Sequence, residues 1–140
     1  MMEQNILINR TIEKIQIAED KLAINFVTSE GEVLVRVDAD CCSYTWIEHI
    51  ELPALGFPAL VVAVNDLEMP DLGNMEEYEV IAYYGCKIST DKGDIVIDYR
   101  NSSNGYYGGS LSWPTDDYYY GGVYSQAVSE NNWIDVVKDI

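Results

Sequence analysis

Positive charge is what this chain has least of. Eight lysines and arginines stand against 24 aspartates and glutamates, for a net charge of −16. So acidic a molecule repels the phosphate backbone of nucleic acids and an anionic membrane surface, and its natural complement is a basic protein. Histidine occurs once, as His49, so an imidazole mechanism has a single candidate. Three cysteines, two of them adjacent, give no disulfide framework and fit a reducing compartment. The chain contains neither a calcium-loop pattern nor a phosphate-cradling glycine loop with its lysine. Apolar runs fall short of a bilayer span, and Met1-Met2-Glu3-Gln4-Asn5 lacks the basic and apolar regions of a signal peptide. These absences lead us to expect a soluble, cytoplasmic protein with no direct contact to nucleic acid or membrane.

What is present is alternation. At 140 residues and 48% apolar content, the chain has the length of one domain and enough material for a core. Ile15 and Ile17 alternate with Lys14 and Gln16, Leu22, Ile24 and Phe26 with Lys21, Ala23 and Asn25, and Val33, Val35 and Val37 follow the turn at Ser29-Glu30-Gly31. A period of two with one wet face predicts an antiparallel meander, and the wet face of its third strand would carry Glu32, Arg36, Asp38 and Asp40. Leu60 to Leu67 reads as a buried strand, and an acidic surface loop follows it. Tyr78 to Thr90 reads as a long strand with Gly85 as a bulge or close-approach point, and Asp91-Lys92-Gly93 turns it back into Ile95, Ile97 and Tyr99. Asn104-Gly105 is a tight reversal by composition, and Gly108-Gly109 lets the backbone pass where a side chain would block it.

Two stretches look helical. Thr45 with Glu48 has the form of a capping box, with Trp46, Ile47 and Ile50 on one side of the short helix that follows Cys42. Trp133, Ile134, Val136, Val137 and Ile140 are spaced as one face of a C-terminal helix, capped by Ser129 or Asn131 and closed by Lys138. The expected fold is therefore α+β: one domain, mainly an antiparallel sheet of about five to seven strands, with these two helices.

Chemistry is thin. Cys41, Cys42, His49 and Cys86 are the soft ligands available for a zinc site, but vicinal cysteines seldom both reach one tetrahedral metal. A cysteine nucleophile with His49 as base and Asp38 or Asp40 as orienter is the other catalytic arrangement on offer. No cofactor is expected. Carboxylates two apart on a strand stand about 7 Å from one another, so Glu32, Asp38, Asp40, Asp94 and Asp98 would present a regular anionic surface to a basic protein. Tyr106 and Tyr107 would add the aromatic anchors that dominate protein interfaces. The competing reading is a pocket bounded by Cys41-Cys42, Trp46, Arg100, Asn101 and Asn104 that holds a small polar molecule, a nucleotide among them.

Asp38-Ala39-Asp40-Cys41-Cys42-Ser43, then Trp46-Ile47-Glu48, and later Tyr99-Arg100-Asn101-Ser102-Ser103-Asn104-Gly105-Tyr106-Tyr107-Gly108-Gly109 resemble the sequences of a family of uncharacterised small proteins found largely in bacteriophages and prophages. The resemblance covers residues 7–113 and leaves a tail at 114–140. That family has no assigned activity, so the resemblance implies an origin and a fold but no chemistry. The origin implies an accessory protein that inhibits or decoys a basic host or defence factor.

Overall fold

The computed structural model describes residues 6–39, 43–68, 75–76, 79–103, 108–114 and 132–140. Among these residues the chain is all-β and has no α-helix. Its strands are β1 (Thr11–Ala18), β2 (Ala23–Thr28), β3 (Gly31–Ala39), β4 (Tyr44–Glu51), β5 (Ala59–Glu68), β6 (Met75–Glu76), β7 (Glu79–Thr90), β8 (Gly93–Ser103), β9 (Gly109–Ser112) and β10 (Trp133–Asp135). Neighbours pair antiparallel in the order β4-β8-β7-β5-β1-β2-β3-β9, with β10 on β1 and β6 on β7.

The sheet folds over on itself. β5 and β1 share only two register pairs, Thr11 with Leu60 and Ile12 with Ala59, and on either side of that narrow joint the two halves face one another. Phe26, Ile24, Val33 and Val35 from one half and Ile47, Ile50, Ile88, Ile95 and Ile97 from the other form a single buried cluster. Fully burying each such side chain contributes about 1.5–3 kcal/mol. The outer strands meet again at the far side, where Ile47 N–H donates to the Lys21 carbonyl (2.9 Å) and the Thr45 hydroxyl to the Asp38 carbonyl (3.0 Å).

The two halves repeat one design. In both β2–β3 and β7–β8 a Thr-x-x-Gly turn closes the hairpin. Thr28 Oγ1 donates to the Gly31 carbonyl (2.5 Å) and accepts from Glu30 N–H, while Thr90 Oγ1 donates to the Gly93 carbonyl (2.6 Å) and accepts from Lys92 N–H. Gly31 and Gly93 take φ of 113° and 120°, a region that side-chain-bearing residues avoid. The strand before each hairpin carries a bulge at the same register, between Ile12 and Lys14 opposite Thr28 and between Val61 and Ala63 opposite Thr90. The outer strand of each half, β9 on β3 and β4 on β8, completes the match.

The fold is all-β and not α+β, for neither expected helix forms: the first is a strand throughout, and of the second Trp133–Asp135 is a strand and the rest irregular. β4 occupies the stretch after Cys42, and the reason for the misreading is a third bulge, between Ile47 and His49. A bulge adds one residue to one strand, so buried neighbours fall three apart instead of two. Ile12 and Ile15, Ile47 and Ile50, and Val61 and Val64 are all such pairs, buried and three apart. That spacing imitates one turn of helix. Thr45 caps nothing; its hydroxyl accepts from Asn101 and donates to β3.

At the C-terminus, Trp133–Asp135 pairs with β1. Beyond it Val136 N–H donates to the Ile15 carbonyl (2.8 Å), and Ile140 exchanges backbone hydrogen bonds with Ile50 of β4. Backbone groups that a helix would have satisfied internally are instead spent on covering open strand edges. Val136 alone of the supposed helical face is buried, while Val137 is 83% exposed, and the proposed caps Ser129 and Asn131 lie outside the described residues. Gly85 is not a bulge, for β7 and β8 run in unbroken register from Val80–Ser103 to Thr90–Gly93. Arg36, expected on a wet face, is 3% exposed.

Candidate binding surface

β8 sorts its side chains by parity. Ile95, Ile97, Tyr99 and Asn101 face the core, whereas Val96, Asp98, Arg100 and Ser102 face outward. Register then sets Trp46 of β4, Arg100 of β8 and Tyr83 of β7 side by side on the outer face. The Arg100 guanidinium lies 4.6 Å from the Tyr83 ring centroid and donates to both oxygens of Asp98, at 3.4 and 3.2 Å. Burial opposes its charge. The hydrogen bond and charge of Asp98, with Glu48 and Tyr83 behind it, outweigh that and hold its pKa above the ordinary range.

The β4 bulge turns Glu48 onto this face as well. Glu48 Oε1 accepts the Trp46 indole N–H at 2.8 Å and stands 4.0 Å from Arg100. Tyr44 stacks on Trp46, with centroids 5.7 Å apart and planes 22° apart, and remains 53% exposed. His49 sits opposite Asp98 in register. Three aromatic rings, one guanidinium and two carboxylates thus line one outward patch, and the aromatic and arginine side chains among them are of the kinds that anchor protein interfaces.

Behind the patch, on the core side, the two motif stretches converge. Asn101 Nδ2 donates to Thr45 Oγ1 (2.9 Å) and Ser43 Oγ (3.1 Å), and Thr45 in turn holds the Asp38 carbonyl. A Cβ on Gly109 would overlap the Thr45 hydroxyl, and one on Gly108 would come within 2.8 Å of Tyr84 Oη, so both positions need glycine for a close approach. A small cavity of about 260 Å³ opens here among Asp38, Ala39, Gly108, Gly109 and Ser110.

The structure separates residues that the sequence suggested would act together. Arg100 and Trp46 face outward while Asn101 is fully buried on the core side, so one pocket does not hold all three. Glu32 is exposed at the start of β3 and Asp38 half-buried at its end, with its carboxylate turned back on the Ala39 N–H (2.9 Å) instead of toward His49. Asp94 is exposed at the start of β8, whereas Asp98 is 7% exposed and committed to Arg100. The carboxylates therefore divide between the two halves and do not form one row. Cys86 is buried on the core face and His49 lies on the outer face of the same sheet half, so the two do not converge on a metal. Burial, with the charge of Asp66 adding to it, pushes the Cys86 thiol up to about 12, which leaves it inert at neutral pH. Asp40, Cys41, Cys42, Asn104, Tyr106 and Tyr107 lie outside the described residues.

Tyr44, Tyr83 and the outward role of Glu48 were missed. The signal was available in the alternation of Tyr44 and Trp46 with Thr45 and Ile47, but the bulge after Ile47 obscured it.

A family profile described as a domain of unknown function, DUF7448, matches residues 5–113. The chain belongs to the DUF7448 family. The match takes in β1 through β9, hence the whole outward patch and the corner behind it, while β10 lies beyond it. No curated protein and no solved structure matches the chain. Among the described residues of this DUF7448 protein, no helix is long and apolar enough to cross a membrane.

Proposed function

We propose that this DUF7448 protein is a non-catalytic binding domain that engages a basic protein through the outer face of β4-β8-β7. The observation that carries this reading is the row Trp46, Arg100 and Tyr83, flanked by Tyr44 and Glu48, on a chain whose net charge is −16. Aromatic and arginine side chains supply binding energy when desolvated, and the surrounding negative potential speeds encounter with a positive partner. A nucleic-acid-binding or defence protein of the host is the kind of partner that fits, and the domain would act as an accessory inhibitor or decoy by covering its basic surface.

The test is calorimetry against a panel of basic nucleic-acid-binding proteins at low and moderate salt. Binding should weaken as salt rises and weaken about tenfold or more in Trp46→Ala. Absence of binding across the panel at low salt, or affinity indifferent to both salt and Trp46, overturns the reading.

A further inference from the structure

We infer that Tyr44, Trp46 and Glu48 form a seat for an arginine side chain of the partner. The inference rests on the protein-binding reading above and gives it a chemistry. A guanidinium is recognised by two features together, an aromatic face on which its plane can lie and a carboxylate in reach of its edge. The patch already contains one such arrangement built from its own residues: Arg100 lies on Tyr83 and donates to Asp98.

Tyr44 and Trp46 supply a second aromatic platform with no cation stacked on it among the described residues, since the Arg100 guanidinium lies on Tyr83, donates to Asp98 and meets Glu48 only through Oε1, at 4.0 Å. Glu48 stands at its edge. Its Oε1 is occupied by the Trp46 indole, which fixes the carboxylate in place, and its Oε2 has no protein partner among the described residues. The Trp46 ring is in turn placed by its stacking on Tyr44 and its indole bond to Glu48, so ring and acceptor keep their relative position before a partner arrives. A lysine would gain the Coulomb attraction to Oε2 but not the stacked plane. The seat should therefore prefer arginine over lysine, where a diffuse acidic surface would not.

Short oligoarginine, oligolysine and oligocitrulline peptides of equal length, titrated into the full chain at low salt, test this. The Trp46 indole N–H resonance serves as the local probe. Oligoarginine should bind about tenfold tighter than oligolysine and shift that resonance, and oligocitrulline should not bind. Glu48→Gln and Tyr44→Ala, both at exposed positions, should each reduce the preference for arginine severalfold while the fold is retained, which the dispersion of the spectrum shows. Equal binding of oligoarginine and oligolysine, unaffected by either variant, overturns the seat and leaves the acidic binding domain standing. Failure of both cationic peptides to bind overturns the two together.

Discussion

The two halves of the sheet are built alike and dressed differently. β1-β2-β3-β9 and β5-β7-β8-β4 share a bulged first strand, a Thr-x-x-Gly hairpin and a fourth strand paired antiparallel with the third. Inward positions correspond in kind: Phe26 matches Ile88, Val33 matches Ile95, and Val35 matches Ile97. Outward positions do not. Where the first half has Arg36 and Asp38, the second has Asp98 and Arg100. The first half seals part of its outer face with Ala18, Ala23, Leu34 and Trp133 and buries Asn25 and Arg36, whereas the second leaves Tyr44, Trp46 and Glu48 in reach of solvent. The core dictates the inward residues of both halves, and only the outward ones are free to specialise.

If the halves are mechanically equivalent, truncating matched core residues should be equally damaging. Phe26→Ala and Ile88→Ala should each cost about 2–5 kcal/mol, read by urea unfolding followed at tryptophan, and both should keep a single cooperative transition because the core is shared. A large loss in one and a small loss in the other would break the equivalence. The turns give a finer version of the comparison. Thr28→Ala and Thr90→Ala each remove one hydroxyl that donates to a glycine carbonyl and accepts from an N–H, so each should cost about 1–2 kcal/mol in the same assay.

The smallest effect at neutral pH separates Ile24 from its counterpart Cys86. The Cys86 thiol has its pKa raised in the folded chain, from 9.0 to about 12, by burial first and Asp66 second. A raised value means that the folded state favours the protonated thiol. Its contribution is therefore whole below the unfolded value near 9 and is lost as pH climbs toward the folded value near 12. Melting temperatures of Cys86→Val should match the parent near pH 7 and exceed it increasingly above pH 9. Coincident curves over the alkaline range would show that this thiol does not titrate on unfolding as its burial requires.

Much of the frame was legible in the residues. Alternation placed β1, β2, β3, β7 and β8, because a half-buried strand forces a period of two on its side chains. The turn at Asp91-Lys92-Gly93 and the need for glycine at 108 and 109 were also readable, since few residues satisfy a positive φ or a close backbone approach. β4 was not legible as a strand, because Ile47 and Ile50 on either side of a bulge have the spacing of a helix. The outward patch was legible only in pieces. Arg100, Trp46 and Asp98 were singled out, yet nothing local reveals that Tyr83 stands under Arg100 or that Asn101, its chain neighbour, is sealed inside.

By itself the sequence determined the negative charge, the preponderance of strands and the positions of the tight turns, for these follow from composition and from each residue's own backbone preferences. Which strands became neighbours, which carboxylates ended up paired, and which aromatics share a face were decided by tertiary structure. A cross-strand neighbour is set by register between segments far apart in the chain, and one added residue in a strand changes which side chains see water.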